Sequence, residues 1–178
     1  AVSQNAFGLG ETEERSRMSA SIEVAGLLAD FTERLLEGAA RAIEDFSEDE
    51  VHFQVHAETN SAGFEIWHIA RTADNLIHFA FEREQPVWLV QGLNQAWGLP
   101  KADQGTGMDP AEAHALRFPA GDALAKYSRD VAAAIVPRIR AMSDEYLQTP
   151  TVIKPQGELP RYAIIGQVII NHGNNHLG

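Results

Sequence analysis

Near its C-terminus the sequence reads Gln167-Val168-Ile169-Ile170-Asn171-His172-Gly173-Asn174-Asn175-His176, which sets two imidazoles four residues apart. On a helix, at about 100° per residue, such positions differ by only ~40°, so His172 and His176 share a face one turn apart. Two imidazoles so placed can close on one metal ion. Ile165, Val168 and Ile169 fall on the same face, so the pair continues an inward, apolar stripe. A buried polar group without a partner costs roughly 1 to 3 kcal/mol. A metal would satisfy both rings at once; hydrogen bonds to Asn171, Asn174 and Asn175 would do so too, and the pair alone does not choose between them.

His68 stands on an earlier helical stretch whose main apolar arc is Ile66, Trp67, Ile69, Ala70, Ala73, Leu76, Ile77 and Ala80. It falls nearly opposite that arc, on a face with Phe64, Arg71, Thr72 and Asn75. Such a place suits a ligand on the wall of a polar pocket between helices, and equally an exposed histidine. His78, at the edge of the arc, reads as structural or surface, and His114 as surface. Val51 to His56 alternates apolar and polar but has no evident partner strand, so it reads as loop, with His52 and His56 on its surface.

The elements that must position these residues follow from hydrophobic spacing. Val24, Leu27, Leu28, Phe31, Leu35, Ala39, Ile43 and Phe46 recur three or four apart and predict a long first helix ending near Asp45 to Asp49. Asn60 or Ser61 caps a second helix, which stops near Glu84 ahead of Pro86. Trp88 to Pro100 reads as a short helix running into a Gly/Pro loop with two indoles, either a lid on the bundle or part of an interface. Asp109-Pro110, with Glu112 beyond, starts another short helix. A third long helix from about Gly121 to Met142 contains Pro137, expected to bend or split it near Ala133 to Val136. Ser143 to Pro160 is a long irregular connection with room for a short hairpin, and the last helix begins at Arg161 or Tyr162. Four substantial helices with hardly any strand signal predict an all-α four-helix bundle. Residues 1–17 read as an N-terminal arm and 18–178 as one domain, with Met18 available as a second start.

Composition narrows the function. The chain has no cysteine, so it has no disulfide, thiolate metal site or cysteine nucleophile, and any sulfur chemistry arrives with a substrate. A formal charge of −11 with no basic stripe opposes binding to nucleic acid. No apolar run approaches the ~18 residues of a membrane span and the N-terminus lacks the order of a secretory signal, so the expectation is a cytoplasmic protein.

The stretch Asn60-Ser61-Ala62-Gly63-Phe64-Glu65-Ile66-Trp67-His68-Ile69-Ala70-Arg71, the Trp88 to Pro100 segment, Gly105-Thr106-Gly107 and His172-Gly173-Asn174-Asn175-His176-Leu177-Gly178 together resemble the DinB/YfiT-like family of metalloenzymes, over roughly Ser21 to Gly178. The resemblance implies a four-helix bundle with a long crossover between helices 2 and 3. It also implies a divalent metal held by three histidines, which map onto His68, His172 and His176, and a homodimer. Some related proteins are transferases or isomerases that use a low-molecular-weight thiol such as mycothiol, bacillithiol or glutathione. The family's last helix usually continues past the second histidine, whereas this sequence stops at Gly178, and an end so close to a ligand is expected to fray unless something ties it down.

Three nitrogen ligands leave a zinc, nickel or iron ion an open position, where a water or a substrate thiol loses its proton more easily. Gln167, Asn171 and Asn175 are the nearest candidates to orient the rings, and Trp88, Trp97 and Tyr162 to wall the pocket. Arg71, one turn from His68, is a candidate for a substrate carboxylate or else a solvated or salt-bridged arginine. The reading is a metal-dependent enzyme acting on a small molecule, first a thiol-dependent transferase and second a hydrolase using metal-activated water. The alternative is a dimeric, non-catalytic helical binding or stress-response protein with a vestigial or structural metal site.

Overall fold

A computed structural model describes residues 23–178 of the chain. The arm assigned to residues 1–17 and the second start at Met18 lie outside the described residues. Four long helices carry the fold. Helix α1 spans Val24–Ile43. Helix α2 spans Ala62–Asp74 and continues in wider, π-helical turns over Asn75–Phe81. A crossover holding α3 (Val87–Val90), α4 (Leu93–Ala96) and α5 (Pro110–Ala115) leads to α6, Gly121–Arg140. Then come α7 (Asp144–Gln148) and a hairpin of β1 (Pro150–Ile153) and β2 (Gly157–Pro160). The last helix opens as α8 (Arg161–Ala163), widens into π-helical turns over Ile164–Asn171 and closes as α9 (His172–Leu177). Among the described residues the fold is all-α apart from one small hairpin.

Helix α1 packs mainly on α6. Ala29, Ala39 and Ala40 are fully buried there, and small side chains let two helix axes approach closely. Helix α2 is central: apart from Glu65, every residue from Gly63 to Asp74 is buried, including His68, Arg71, Thr72 and Asp74. The polar face of that helix therefore points into the protein, which removes the exposed-histidine reading of His68. Its start is set by Ser61, whose hydroxyl accepts from the Phe64 N–H at 3.3 Å. Asp109 likewise caps α5 by accepting from Ala111 N–H at 2.8 Å, with Pro110 in the first turn.

Several elements differ from the sequence reading. Pro137 does not split α6, which runs on to Arg140. The proline sits in the last turn, so it removes one backbone donor with little helix beyond it to misalign. Val51 to His56 is irregular after a 3-10 turn at Glu50–His52, but His52 is more than a surface residue. Its Nδ1 donates to the Glu48 carbonyl at 2.7 Å and its Nε2 accepts from Phe118 N–H at 3.0 Å, fastening the crossover to the end of α1. His114 is half-buried, with Nε2 3.1 Å from the Thr59 carbonyl oxygen. The segment around Trp88 keeps an outer face, with Val90 69% exposed, but its first indole turns inward. Trp88 is fully buried, its ring centroid 6.3 Å from Trp67 and 5.4 Å from both Trp97 and Tyr127. It wedges between α2 and α6, and its indole N–H donates to the Pro100 carbonyl at 3.1 Å.

A buried carboxylate joins these parts. Asp74 accepts from Val87 N–H and Trp88 N–H, both at 2.9 Å, from the Tyr127 hydroxyl at 2.8 Å and from His78 Nδ1 at 2.8 Å. One side chain thus caps α3 and ties α2 to α6. Arg71, 1% exposed, lies 3.9 Å from Asp74 and stacks 5.2 Å from the Trp88 ring centre, offsetting the buried charge.

Candidate metal centre

The three histidines reach one point from opposite ends of the chain. His68 projects from the second turn of α2, and His172 and His176 from α9. Gly173 lies between the latter two and faces α1. A Cβ there would stand 2.6 Å from Leu35 Cδ2, so a larger residue would displace the buried Leu35 side chain or the last helix. The π-helical turns before it insert extra residues per turn, so the histidines are re-phased relative to the simple α-helical wheel. Ile165 and Ile169 are nevertheless buried beneath them, and Val168 is half-buried.

One nitrogen from each of His68, His172 and His176 lies within 4.8 Å of the others. The outer nitrogens of two rings are already engaged. Nδ1 of His68 contacts the Gln104 carbonyl oxygen, and Nδ1 of His176 contacts the Glu65 carboxylate. A carbonyl or carboxylate oxygen can only accept, so both Nδ1 atoms carry a proton and, in the neutral rings, each Nε2 offers its lone pair. His172 Nε2 is 3.0 Å from His176 Nε2. Two nitrogens each ~2.0–2.1 Å from one ion stand about 3 Å apart, so the donor set and its spacing fit a divalent cation. Burial and the neighbouring His176 hold the His172 ring below the usual imidazole pKa. Burial does the same for His68 against the opposing pull of the Gln104 carbonyl. Both shifts favour the neutral form that ligates metals. Burial would raise the Glu65 carboxyl, but hydrogen bonds from His176 and Asn60 outweigh it and hold the group below the ordinary range.

The groups that orient the rings come from facing elements. Glu65 is also fixed by Asn60 Nδ2 at 2.9 Å. Gln104 is held by its side chain, which accepts from Asn75 Nδ2 at 3.0 Å and lies 3.3 Å from the Thr106 hydroxyl. The next residue, Gly105, has φ +91°, and a Cβ on it would meet Phe64 Cζ at 2.6 Å. The loop therefore lies flat on the Phe64 ring and delivers its carbonyl onto His68. Gln167, Asn171 and Asn175 do not take this role. All three are exposed: Asn171 and Asn175 each stand one residue, about 100°, from a histidine, and Gln167 lies five residues before His172 within the π-helical turns.

Beside the histidines lies a cavity of about 350 Å³, walled by Phe64, Met108, Pro110 and Ala113, with Asn60, Thr106 and the exposed Glu58 as polar lining. The expected walls are elsewhere. Trp88 and Trp97 pack in the core described above, and Tyr162, 47% exposed, borders a separate hollow with Val24 and Leu147 at the other end of the last helix. Arg71 does not face the cavity: it is spent on Asp74, on Trp88 and on a 3.5 Å contact with the Asp103 carbonyl. Phe64, Glu65 and the Gly105-Thr106-Gly107 loop stand out in the sequence only as a pattern. A backbone carbonyl such as that of Gln104 has no sequence signature at all.

A sequence model of the family described as the DinB superfamily matches residues 31–178. A crystal structure of a conserved protein from Enterococcus faecalis superposes with a TM-score of 0.75 at 19% identity, over 89% of this chain and 93% of that one. At that identity the likeness establishes a shared fold. No curated protein matches the sequence.

Proposed function

The chain belongs to the DinB superfamily, and from that premise we propose that it is a metal-dependent enzyme that transfers a low-molecular-weight thiol to a small electrophile. The observation that carries the reading is the tautomer lock: Glu65 and the Gln104 carbonyl hold two rings with bare nitrogens turned toward a third. Zinc, nickel and ferrous iron all accept such a set. When bound, the ion supplies a Lewis acid that lowers the pKa of a thiol or water at its open position. The protein's own part is to hold the reactants. The apolar wall of Phe64, Met108 and Pro110 receives the body of the ligand, while Asn60 and Thr106 offer hydrogen bonds. The transfer replaces an S–H bond of the thiol by an S–C bond, and the leaving group departs with its electron pair and takes up the released proton. No side chain of the chain can supply the sulfur nucleophile, since cysteine is absent.

Elemental analysis of protein purified without added metal should find close to one divalent ion per chain, and His172→Ala should remove it while leaving the helical content intact. A panel of thiols with electrophiles then separates chemistries. Product that forms only with thiol present supports transfer; product without thiol means hydrolysis and overturns it; no turnover together with a dispensable ion favours a non-catalytic binding protein. A thiol co-substrate belongs in a reducing compartment, so we place the protein in the cytoplasm. We also infer a homodimer, because Val24, Leu27 and Phe31 form one face of α1 and are 45%, 43% and 47% exposed. A monomeric mass in solution would contradict that.

A further inference from the structure

The charge around the cavity is one-sided. The exposed Glu58 lines the cavity, and among the described residues no lysine or arginine does. Glu65 lies behind His176, and Asp103, whose Oδ1 accepts from Gly105 N–H at 2.7 Å, stands on the loop that reaches His68. The one cation in the neighbouring helix, Arg71, is buried and turned to Asp74. Two carboxylates already balance a divalent ion, so a bound thiolate makes the site net negative and nothing lining it neutralises a further anion. From this charge distribution we infer that the cavity selects, at the end of the ligand away from the sulfur, an uncharged or ammonium-bearing group and rejects a carboxylate. The inference rests on the thiol reading above and narrows it: amide- or sugar-bearing thiols and aminothiols fit, and thiols carrying carboxylates at that end do not.

The test uses the full chain loaded with cobalt(II), whose thiolate charge-transfer absorption reports binding without turnover. Cysteamine, 2-mercaptoethanol and 3-mercaptopropionate present an ammonium, a hydroxyl and a carboxylate at similar reach. Because these thiols differ in their own acidity, the readout is how the ratio of their dissociation constants changes among wild type, Glu58→Gln and Glu58→Lys. Acidity is common to all three proteins and cancels. The preference for cysteamine over 3-mercaptopropionate should fall about threefold in Glu58→Gln and about tenfold in Glu58→Lys, as expected for removing and then reversing a partly screened charge. The ratio of cysteamine to mercaptoethanol should shift in the same sense and by less. Thiol binding with an unchanged ratio across the variants would overturn the charge selection and leave the thiol reading standing. No thiolate absorption with any of the three, in protein that has bound cobalt, would overturn both.

Discussion

Glu65 shows how much of the site's chemistry depends on one side chain that is not itself a candidate ligand. Its carboxylate fixes the tautomer of His176, and its negative charge makes that ring a better donor. Glu65→Gln keeps the shape and an acceptor oxygen but loses the charge. Metal affinity, measured by competition with a chelator, should fall about tenfold, and Glu65→Ala should lose up to ~100-fold. An unchanged affinity in Glu65→Ala would mean that the contact orients nothing. At this scale the sequence was partly legible. The His172 and His176 pair followed from spacing, and the polar face carrying His68 was correctly drawn, though whether it met solvent or protein was open. For Arg71 the sequence leaves a ligand carboxylate and a solvated or salt-bridged role both open, and the structure shows the salt-bridged one, with a buried carboxylate one turn along its own helix. That partner became visible only when Tyr127, from a distant helix, closed over Asp74.

At the scale of elements, the site depends on two close approaches that glycine permits. Gly173 lets the last helix approach α1, and Gly105 lets the crossover loop lie on Phe64. An alanine at Gly105 meets both a left-handed backbone, at a cost of about 1–2 kcal/mol, and a ring carbon at 2.6 Å. The loop must lift, taking the Gln104 carbonyl off His68. Gly105→Ala should weaken metal binding about tenfold, while Gly98→Ala, with φ +66° and open space around it, should match its backbone strain and leave metal affinity unchanged. Equal affinity in the two variants would exclude the loop from the site. Helix existence and most boundaries were legible here because periodicity, caps and prolines are local signals. The π-helical turns of α2 and the last helix were not, since nothing in Asn75–Phe81 or Ile164–Asn171 departs from an α-helical pattern. The burial of Trp88 was likewise hidden, because an indole on a loop fits a lid and a core wedge equally well.

Across the whole molecule, stability and site converge on Asp74. Four donors from α2, α3 and α6 meet it, and Arg71 beside it touches the backbone just ahead of Gln104. Asp74→Ala leaves a buried guanidinium unpaired and should cost about 3–5 kcal/mol in denaturant unfolding. A loss under 1 kcal/mol would contradict its place at the junction. The same cluster sets an alkaline limit. Burial, reinforced by the Asp74 charge, pushes the Tyr127 hydroxyl well above its ordinary value near 10. The folded chain therefore keeps a proton that the unfolded chain releases. The contribution is whole below pH ~10 and is lost as the pH rises beyond it, at up to about 1.4 kcal/mol per pH unit. Ultraviolet titration should show one tyrosine ionising only as the chain unfolds; three tyrosines titrating together in folded protein would refute this. The all-α class was legible from the sequence as a whole, whereas this junction depends on residues fifty-odd positions apart in the chain.

The central claim is that His68, His172 and His176 hold one ion through their inner nitrogens. Anomalous X-ray scattering from a crystal grown with zinc or nickel, collected on both sides of the metal edge, tests it most directly. The account predicts a single strong peak about 2.0–2.2 Å from the Nε2 atoms of all three histidines, with Glu65 and the Gln104 carbonyl still on the outer nitrogens. A peak that contacts only His172 and His176, or no peak among the three rings, would contradict it.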